Sequence, residues 1–189
     1  SMRESLAAAG RVLCDANLPA ETIAALATAT RALGKPLAAI AISPAKAVRL
    51  KPSLSLLDHV FMNVAEAEVV AGAPAREAAE WPDLLRRVGL RAGTVTMGGS
   101  LTVAFDETGA ACLAPPPVAS IADVTGAGDA FAAGYLSAHM DGEAMAEALR
   151  HGTACAAITL RSPHATAENL RPDLLKSGLA LVPAATILS

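Results

Sequence analysis

The 189-residue chain has few aromatic side chains, few cysteines and no long apolar run. Aromatic residues make up only 3% of the chain, so its 53% hydrophobic content is mainly Ala, Leu and Val. It has no basic stripe interleaved with aromatics, and its formal net charge is −3, which argues against a dedicated nucleic-acid function. No apolar run approaches the length that spans a bilayer, which argues against a membrane partner.

The chain contains three cysteines, Cys14, Cys112 and Cys155. They are odd in number, widely spaced and embedded in apolar sequence, and no Cys/His spacing fits a zinc site. They are interpreted as buried free thiols of a reducing compartment. The sequence therefore predicts a cytoplasmic protein.

Strand-like and helix-like segments alternate along the chain, which predicts an α/β fold with a mainly parallel sheet flanked by helices. With no internal repeat, residues 1–189 are expected to form a single domain. Strands are predicted at 11–16, 36–42, 60–62, 94–97, 101–105 and 110–114. Helices are predicted at 20–33, 44–50, 66–71, 76–88, 127–140, 143–160 and 172–175.

The most informative segment is Asp-Val-Thr-Gly-Ala-Gly-Asp at 123–129, directly before an apolar helix. Gly126, Ala127 and Gly128 have little or no side chain, so an anion can approach the backbone N–H groups at the helix start. Asp129 beside them can accept a proton from a substrate hydroxyl that attacks phosphorus. The alternative is a tight turn in which Asp129 is only the N-cap.

Asn63 and Glu66 lie three residues apart, so both can face one point from a single helical turn. Glu66 is a candidate to hold water on Mg²⁺, and Asn63 is a candidate to contact phosphate. The alternative is an ordinary helix start with an exposed Glu66 in its first turn, and the neighbouring Glu68 supports that interpretation.

In chain order, the motifs Asn-x-x-Glu at 63–66, Thr-x-Gly at 96–98 and the segment at 123–129 resemble the PfkB/ribokinase family of carbohydrate and nucleoside kinases. Segments 15–19 and 43–47 are most similar to its pseudouridine-kinase branch. The resemblance implies a ribokinase-like fold and ATP-dependent phosphorylation of a hydroxymethyl group of a sugar or nucleoside, with Mg²⁺ as cofactor.

The resemblance also implies residue roles. Asp129 would be the general base, with Gly126, Ala127 and Gly128 as the anion hole. Thr96 and Gly98 would contact nucleotide phosphates at a strand end, although Thr96 alone is equally consistent with an ordinary strand residue.

His151 matches a family position near the adenine pocket, but a lone histidine on an apolar helix more often bonds to the backbone. Asp123 and Thr125 match positions that help to hold K⁺, and the alternative is that Asp123 only caps its loop. Asp15 and Asn17 are expected to line the cleft. Lys46 is a weaker candidate for a phosphate contact.

The chain departs from the family in two respects. Leu101 stands where relatives usually carry a second glycine, which could crowd the triphosphate. The family's N-terminal half, with its substrate-gripping residues and β lid, is not in this sequence. Exposed apolar surface is therefore expected to drive homodimerisation or to require the missing half. Two functions remain open, a small-molecule kinase and a non-catalytic nucleotide-binding or interaction module.

Overall fold

A computed structural model describes residues 2–118, 124–162, 164, 167 and 170–188. The chain divides into two compact units, one of Ser1–Thr96 with Phe105–Thr108 and one of Met97–Ala104 with Gly109–Ser189. The helices are α1 (Met2–Ala8), α2 (Ala20–Ala32), α3 (Pro44–Ala47), α4 (Val64–Ala71), α5 (Trp81–Arg87), α6 (Ala127–Met140), α7 (Met145–Leu160) and α8 (Pro172–Leu179). The strands are β1 (Val12–Asp15), β2 (Leu37–Ile40), β3 (His59–Asn63), β4 (Gly93–Thr96), β5 (Thr102–Asp106), β6 (Gly109–Leu113) and β7 (Thr186–Leu188).

The strands form a mixed sheet whose order follows the chain from β1 to β7. Strands β1 to β4 pair in parallel, and β6 pairs with β7 in antiparallel. The predicted α/β class is confirmed. Because parallel strands run in one direction, β1 to β4 bring their carboxyl ends to the same edge of the first unit.

Small apolar residues build the core of the first unit. Leu37, Ala38 and Ala39 of β2 are fully buried, as expected for a strand covered on both faces. Ile23 and Ala27 of α2 are buried as well. The candidate site residues of this unit lie at the carboxyl ends of its strands, outside this apolar core.

The second unit is built around the close packing of α6 against α7. A Cβ on Gly152 would lie 2.9 Å from the Phe131 carbonyl oxygen, so only glycine allows this approach. Phe131 and Tyr135 of α6 are buried, with ring centroids 6.3 Å apart. Among the described residues, no helix combines the length and the apolar character needed to cross a membrane.

Several predicted elements differ from the observed ones. The helix predicted at 44–50 is α-helical only at Pro44–Ala47 and continues as a 3₁₀ helix, Val48–Leu56, which contains Pro52. The helix predicted at 76–88 starts later, as a 3₁₀ turn and then α5, because a proline favours the first helical turn and Pro82 stands there. Strand β7 was not predicted.

The cysteine prediction is correct for Cys14 and Cys155, which are buried and free. Cys112 on β6 is also free, but it is only partly buried, so the prediction is wrong for its burial. Burial raises the pKa of the Cys14 thiol to about 11, with a smaller contribution from the charge of Asp15.

Candidate functional site

The second unit places the glycine-rich segment at the start of α6. Gly126 is the N-cap residue, with φ of 80° in the left-handed region that glycine adopts without strain. The Ala127 N–H donates to the Val124 carbonyl at 3.4 Å. The backbone N–H groups of Gly128 and Asp129 have no acceptor among the described residues. This helix start therefore offers unpaired donors and the positive end of the helix dipole to an anion.

Asp129 lies in the first turn of α6 and is exposed. The alternative in which Asp129 is the N-cap of this helix is wrong, because Gly126 occupies the N-cap position and Asp129 lies within the first turn. The Asp129 carboxylate is therefore not engaged as the helix cap and is accessible to a ligand.

A pocket of about 560 Å³ lies within the second unit, lined by residues of α6, α7, α8 and the segment before α8. Its lining includes Thr125, Gly126 and Asp129 at one helix start, and His151 on α7. The volume falls in the range of small-molecule sites, about 300 to 1,000 Å³. The structure thus brings His151 and the glycine-rich segment to the same pocket.

Close helix packing sets the width of this pocket. A Cβ on Gly134 of α6 would lie 2.6 Å from the Cys155 Sγ and 2.8 Å from the His151 carbonyl oxygen. Since real Cβ atoms essentially never approach so closely, Gly134 lets α6 contact the backbone of α7. Sequence reasoning missed this glycine and the other small residues of the lining, Ala130, Ala133 and Ser137. Their three- and four-residue spacing on α6 is the signal that could have identified them.

In the first unit, Asn63 and Glu66 form a reciprocal cap at the start of α4. The Glu66 N–H donates to Asn63 Oδ1 at 3.0 Å, and the Asn63 N–H donates to Glu66 Oε2 at 2.9 Å. Asn63 Nδ2 also donates to Glu66 Oε1 at 2.9 Å. Each oxygen of the carboxylate thus accepts one hydrogen bond from Asn63 and keeps a lone pair for a further donor.

Glu66 is 5% exposed, so the interpretation of an exposed first-turn glutamate is wrong. Burial raises the pKa of its carboxyl above the ordinary value, and the two hydrogen bonds from Asn63 oppose that rise. Asn63 itself is exposed. Its amide therefore covers the buried carboxylate and can meet a ligand on its outer side.

Thr96 joins this pair at the carboxyl edge of the first unit. Thr96 at the end of β4 is the register partner of Asn63 at the end of β3, and its hydroxyl lies 3.5 Å from the Met62 carbonyl oxygen. Gly98 belongs to the second unit and has φ of 59° in the turn before β5. The Met97 N–H closes this turn by donating to the Leu101 carbonyl at 2.9 Å.

The end of β1 contributes a second polar group to the first unit. Asp15 Oδ1 accepts from the Asn17 N–H at 2.8 Å, and Lys46 Nζ donates to Asn17 Oδ1. Arg49 Nη1 donates to the carbonyl oxygens of Ala16 and Asn17 at 3.0 and 2.9 Å. Asn17 and Lys46, predicted separately, are thus in direct contact.

The structure gathers most of the predicted residues into two larger sets, one within each unit, while Asp15, Asn17 and Lys46 form a separate group in the first unit and Gly98 joins none of these sets. Asn63, Glu66 and Thr96 form the first set. Thr125, Gly126, Asp129 and His151 line one pocket in the second, with Ala127 and Gly128 in the same helix start. Asp123 lies outside the described residues. Within the described ranges, no group of three or more His, Cys, Asp or Glu side chains is arranged to hold a metal ion.

These features define an α/β protein with a pocket of about 560 Å³ beside the start of α6. A family model described as pfkB family carbohydrate kinase matches residues 3–171. The chain belongs to this family.

The chain is 26% identical over 166 residues to the pseudouridine kinase of Escherichia coli K12, covering 86% of this chain and 51% of that protein. It superposes on a carbohydrate kinase from Agrobacterium tumefaciens with a TM-score of 0.87 and 50% identity, covering 98% of this chain and 59% of that one. Arabidopsis thaliana ribokinase, solved with ribose and ATP, shares the fold with a TM-score of 0.79 at 21% identity. The chain therefore spans between half and three fifths of these relatives.

Proposed function

We propose that this chain carries the ATP-binding and catalytic part of a kinase that phosphorylates a hydroxymethyl group of a sugar or nucleoside. The main support is the start of α6, where an exposed Asp129 lines one pocket with Gly126 and His151, and where the N–H groups of Gly128 and Asp129 have no acceptor in the part of the chain that the structure describes. Family membership supports the same reaction class. In this proposal the γ-phosphoryl group lies at the helix start and the adenine lies in the pocket toward His151.

The proposed reaction is an in-line displacement at the γ-phosphorus. The acceptor hydroxyl oxygen forms a bond to phosphorus while the bond to the bridging oxygen breaks and ADP leaves. Asp129 takes the hydroxyl proton. The N–H groups of Gly128 and Asp129 stabilise the negative charge on the transferred group. Proton transfer to a placed carboxylate contributes about 10² to 10⁴ in rate.

Glu66 fits an indirect contact to Mg²⁺ better than direct coordination. It is a single buried carboxylate whose two oxygens already accept hydrogen bonds from Asn63. Mg²⁺ usually keeps several of its waters and takes few protein ligands. Glu66 would therefore hold a water of the hydrated ion, which supplies charge neutralisation at the phosphates, and Thr96 and Gly98 would contact those phosphates.

The K⁺ proposal rests on Asp123 and Thr125. Asp123 lies outside the described residues, and Thr125 lies in the turn before α6. The support is the family motif at 123–129 alone, and the test is whether K⁺ changes nucleotide affinity or turnover. Cytoplasmic location and a homodimeric state also stay predictions, and the oligomeric state can be read from light scattering after size exclusion.

Pseudouridine is the acceptor that we propose first, supported by the relative of that activity at 26% identity. Ribose, adenosine and fructose 6-phosphate are the comparison acceptors. Preference for any of them over pseudouridine would overturn the proposed substrate and leave the reaction class intact.

The test of the proposed function is Asp129→Asn, with Asp141→Asn at the other end of α6 as the matched control. Labelled ATP reports transfer to the acceptors, and calorimetry reports ATP affinity. We expect Asp129→Asn to lower the transfer rate by about 10³-fold with little change in ATP affinity, because a general base acts only in the transition state. The Asp141 variant should match the wild type.

Two outcomes would contradict this proposal in different ways. An unchanged rate in Asp129→Asn would remove Asp129 as the base. ATP binding without transfer to any acceptor would favour the alternative, a non-catalytic nucleotide-binding or interaction module. The crowding expected from Leu101 gives a specific reason for that alternative.

A further inference from the structure

The first unit contains a second cavity, at the amino ends of its parallel strands. It has a volume of about 250 Å³ and is lined by three cationic side chains, Arg31, Lys35 and Arg91, with a single carboxylate, Asp58. We refer to it as the amino-end cavity. A formal excess of two positive charges in a chain of net charge −3 is a local feature that composition does not indicate.

The amino-end cavity lies away from the candidate kinase residues of the same unit. Asp58 immediately precedes β3, whereas Asn63 ends that strand. Arg91 precedes β4, whereas Thr96 ends it. A strand rises about 3.3 Å per residue, so the two ends of β3 are separated by roughly 13 Å. The cavity is therefore a distinct location on the unit.

Arg91 is held in place by carboxylates. Its Nη2 lies 3.9 Å from Asp58 Oδ1, and its Nη1 lies 3.4 Å from Glu107 Oε1. Asp58 is itself fixed, because its Oδ2 accepts a hydrogen bond from the Leu37 N–H at 2.7 Å. This arrangement positions the Arg91 guanidinium at the cavity, and the two carboxylates offset much of its positive charge.

Arg31 and Lys35 have no such partners. Among the described residues, neither side chain makes a hydrogen bond or an ion pair. The backbone carbonyls at the end of α2 also do not need these two side chains as hydrogen-bond donors. The Gly34 N–H donates to the Arg31 carbonyl and the Lys35 N–H donates to the Thr30 carbonyl, a backbone arrangement that satisfies the last turn. Two cations therefore line the same cavity without a charge partner.

We propose that the amino-end cavity binds a phosphate group, either as inorganic phosphate or as part of a small phosphate ester. A phosphate carries a charge of about −1.5 to −2 at neutral pH, which matches the two unpaired cations. Its oxygens suit the paired donors of the Arg31 guanidinium, while Lys35 supplies a point charge. Binding also relieves the repulsion between Arg31 and Lys35, and a cavity of about 250 Å³ admits a small ligand.

The experiment is a titration of the ¹⁵N-labelled chain with inorganic phosphate at constant ionic strength. We expect saturable shifts of the amides of Gly34, Lys35 and Leu37, with a Kd on the order of 1 mM. A parallel titration with glycerol 3-phosphate separates the two sources. Equal affinity indicates recognition of the phosphate group alone, and tighter binding of the ester indicates an organic phosphate. Either outcome supports the site.

Variants that remove positive charge test whether Arg31 and Lys35 bind the phosphate. The double variant Arg31→Gln, Lys35→Gln should weaken phosphate binding at least about tenfold, since both unpaired cations are removed. The matched control is Arg87→Gln, Lys176→Gln, which removes the same charges from exposed positions outside the cavity and should bind as the wild type does. Affinity for glycerol 3-phosphate should rise between pH 5.5 and 7.5, because the ester loses its second proton near pH 6. Sulfate should show no such rise.

The proposal is overturned if phosphate shifts are unsaturable and spread over the surface, or if the double variant binds as well as its control. Neither result depends on kinase activity, so failure here is separate from failure of the proposed function.

Discussion

Gly128 lies in the first turn of α6, and its backbone N–H has no acceptor within the described ranges. A Cβ at this position would meet no atom of the described residues within 4 Å, which leaves space there for a ligand. Glycine is a poor helix residue and costs about 0.5 to 1 kcal/mol relative to alanine. Its presence in the first turn of α6 is therefore not explained by stability, and the proposed phosphoryl contact provides a reason.

Gly128→Ala should separate stability from phosphoryl transfer. We expect an unchanged or slightly raised Tm, because alanine favours the helix and its Cβ would meet none of the described residues within 4 Å. We expect the transfer rate to fall at least about tenfold, or 1.4 kcal/mol, because a methyl group displaces the anion from the N–H donors. Thermal unfolding and labelled-ATP assays measure the two effects. A variant with full activity would remove Gly128 from the anion hole.

Glu66 gives a pH-dependent prediction. Its pKa is raised in the folded protein from an ordinary value of 4.5, mainly because the carboxyl is buried. The folded state therefore binds the Glu66 proton more tightly than the unfolded state does. Its contribution to stability is fully present below pH 4.5 and is lost as the pH rises through the folded pKa.

Glu66→Gln should remove this dependence, because glutamine does not titrate. We expect the stability of the wild type to decline relative to Glu66→Gln as the pH rises above 4.5, with no further change above the folded pKa. Urea unfolding at a series of pH values measures the difference. Glu68→Gln, an exposed change on the same helix, is the control and should run parallel to the wild type. Parallel curves for both variants would contradict the raised pKa.

At the scale of the helices, the contact between α6 and α7 depends on Gly134. Gly134→Ala should destabilise the protein by about 1 to 3 kcal/mol, because the added Cβ overlaps the Cys155 side chain and the α7 backbone. The same change at Gly128 on the same helix is the matched control and should not destabilise. Denaturant unfolding measures both. Equal stability of the two variants would mean that the helices separate without cost.

Arg150 connects α7 to the chain after α8. Its guanidinium donates to the carbonyl oxygens of Leu179, Val182 and Pro183 at 3.2, 3.1 and 3.1 Å, and to Glu147 at 2.8 Å. Lysine cannot form this set of bonds from one position. Arg150→Lys should therefore cost about 1 to 2 kcal/mol of stability, measured by denaturant unfolding.

The control for Arg150 is Arg161→Lys, the same change just after the end of α7. Since Arg161 is exposed, its replacement should leave stability within about 0.5 kcal/mol of the wild type. Leu175 of α8 lines the pocket, so Arg150→Lys should also weaken ATP binding. A loss of stability without weaker binding would show that α8 keeps its place without Arg150.

The helices also show how much of the structure could be predicted from the sequence. Helix α6 was predicted with its observed bounds, because the glycines before it and the apolar pattern within it are local signals. Strand β7 has three residues, of which the first two are exposed, so it carries no alternating pattern. The joint lining of one pocket by Asp129 and His151 depends on the packing of two helices, which spacing along the chain does not reveal. The amino-end cavity was missed for the same reason.

At the scale of the whole chain, each of the two units carries its own set of candidate site residues. Asn63 and Thr96 belong to the first unit, and Gly128, Asp129 and His151 belong to the second. The chain spans 51% of the pseudouridine kinase and 59% of the solved carbohydrate kinase that it matches. Nucleotide binding and acceptor phosphorylation are therefore separate questions for this chain and need separate measurements.

Calorimetry of ATP–Mg²⁺ with this chain addresses the first question. We expect binding with a Kd on the order of 10 µM, because the pocket and the helix start supply both the apolar and the anionic contacts that ATP needs. His151→Ala should weaken that binding. Asp129→Asn should not weaken it, because removing a carboxylate beside the phosphates lowers repulsion.

Repeating the titration with K⁺ in place of Na⁺ tests the cation proposal. Absence of binding by a folded chain would contradict the nucleotide site itself, and Leu101→Gly would then show whether crowding before β5 is the cause.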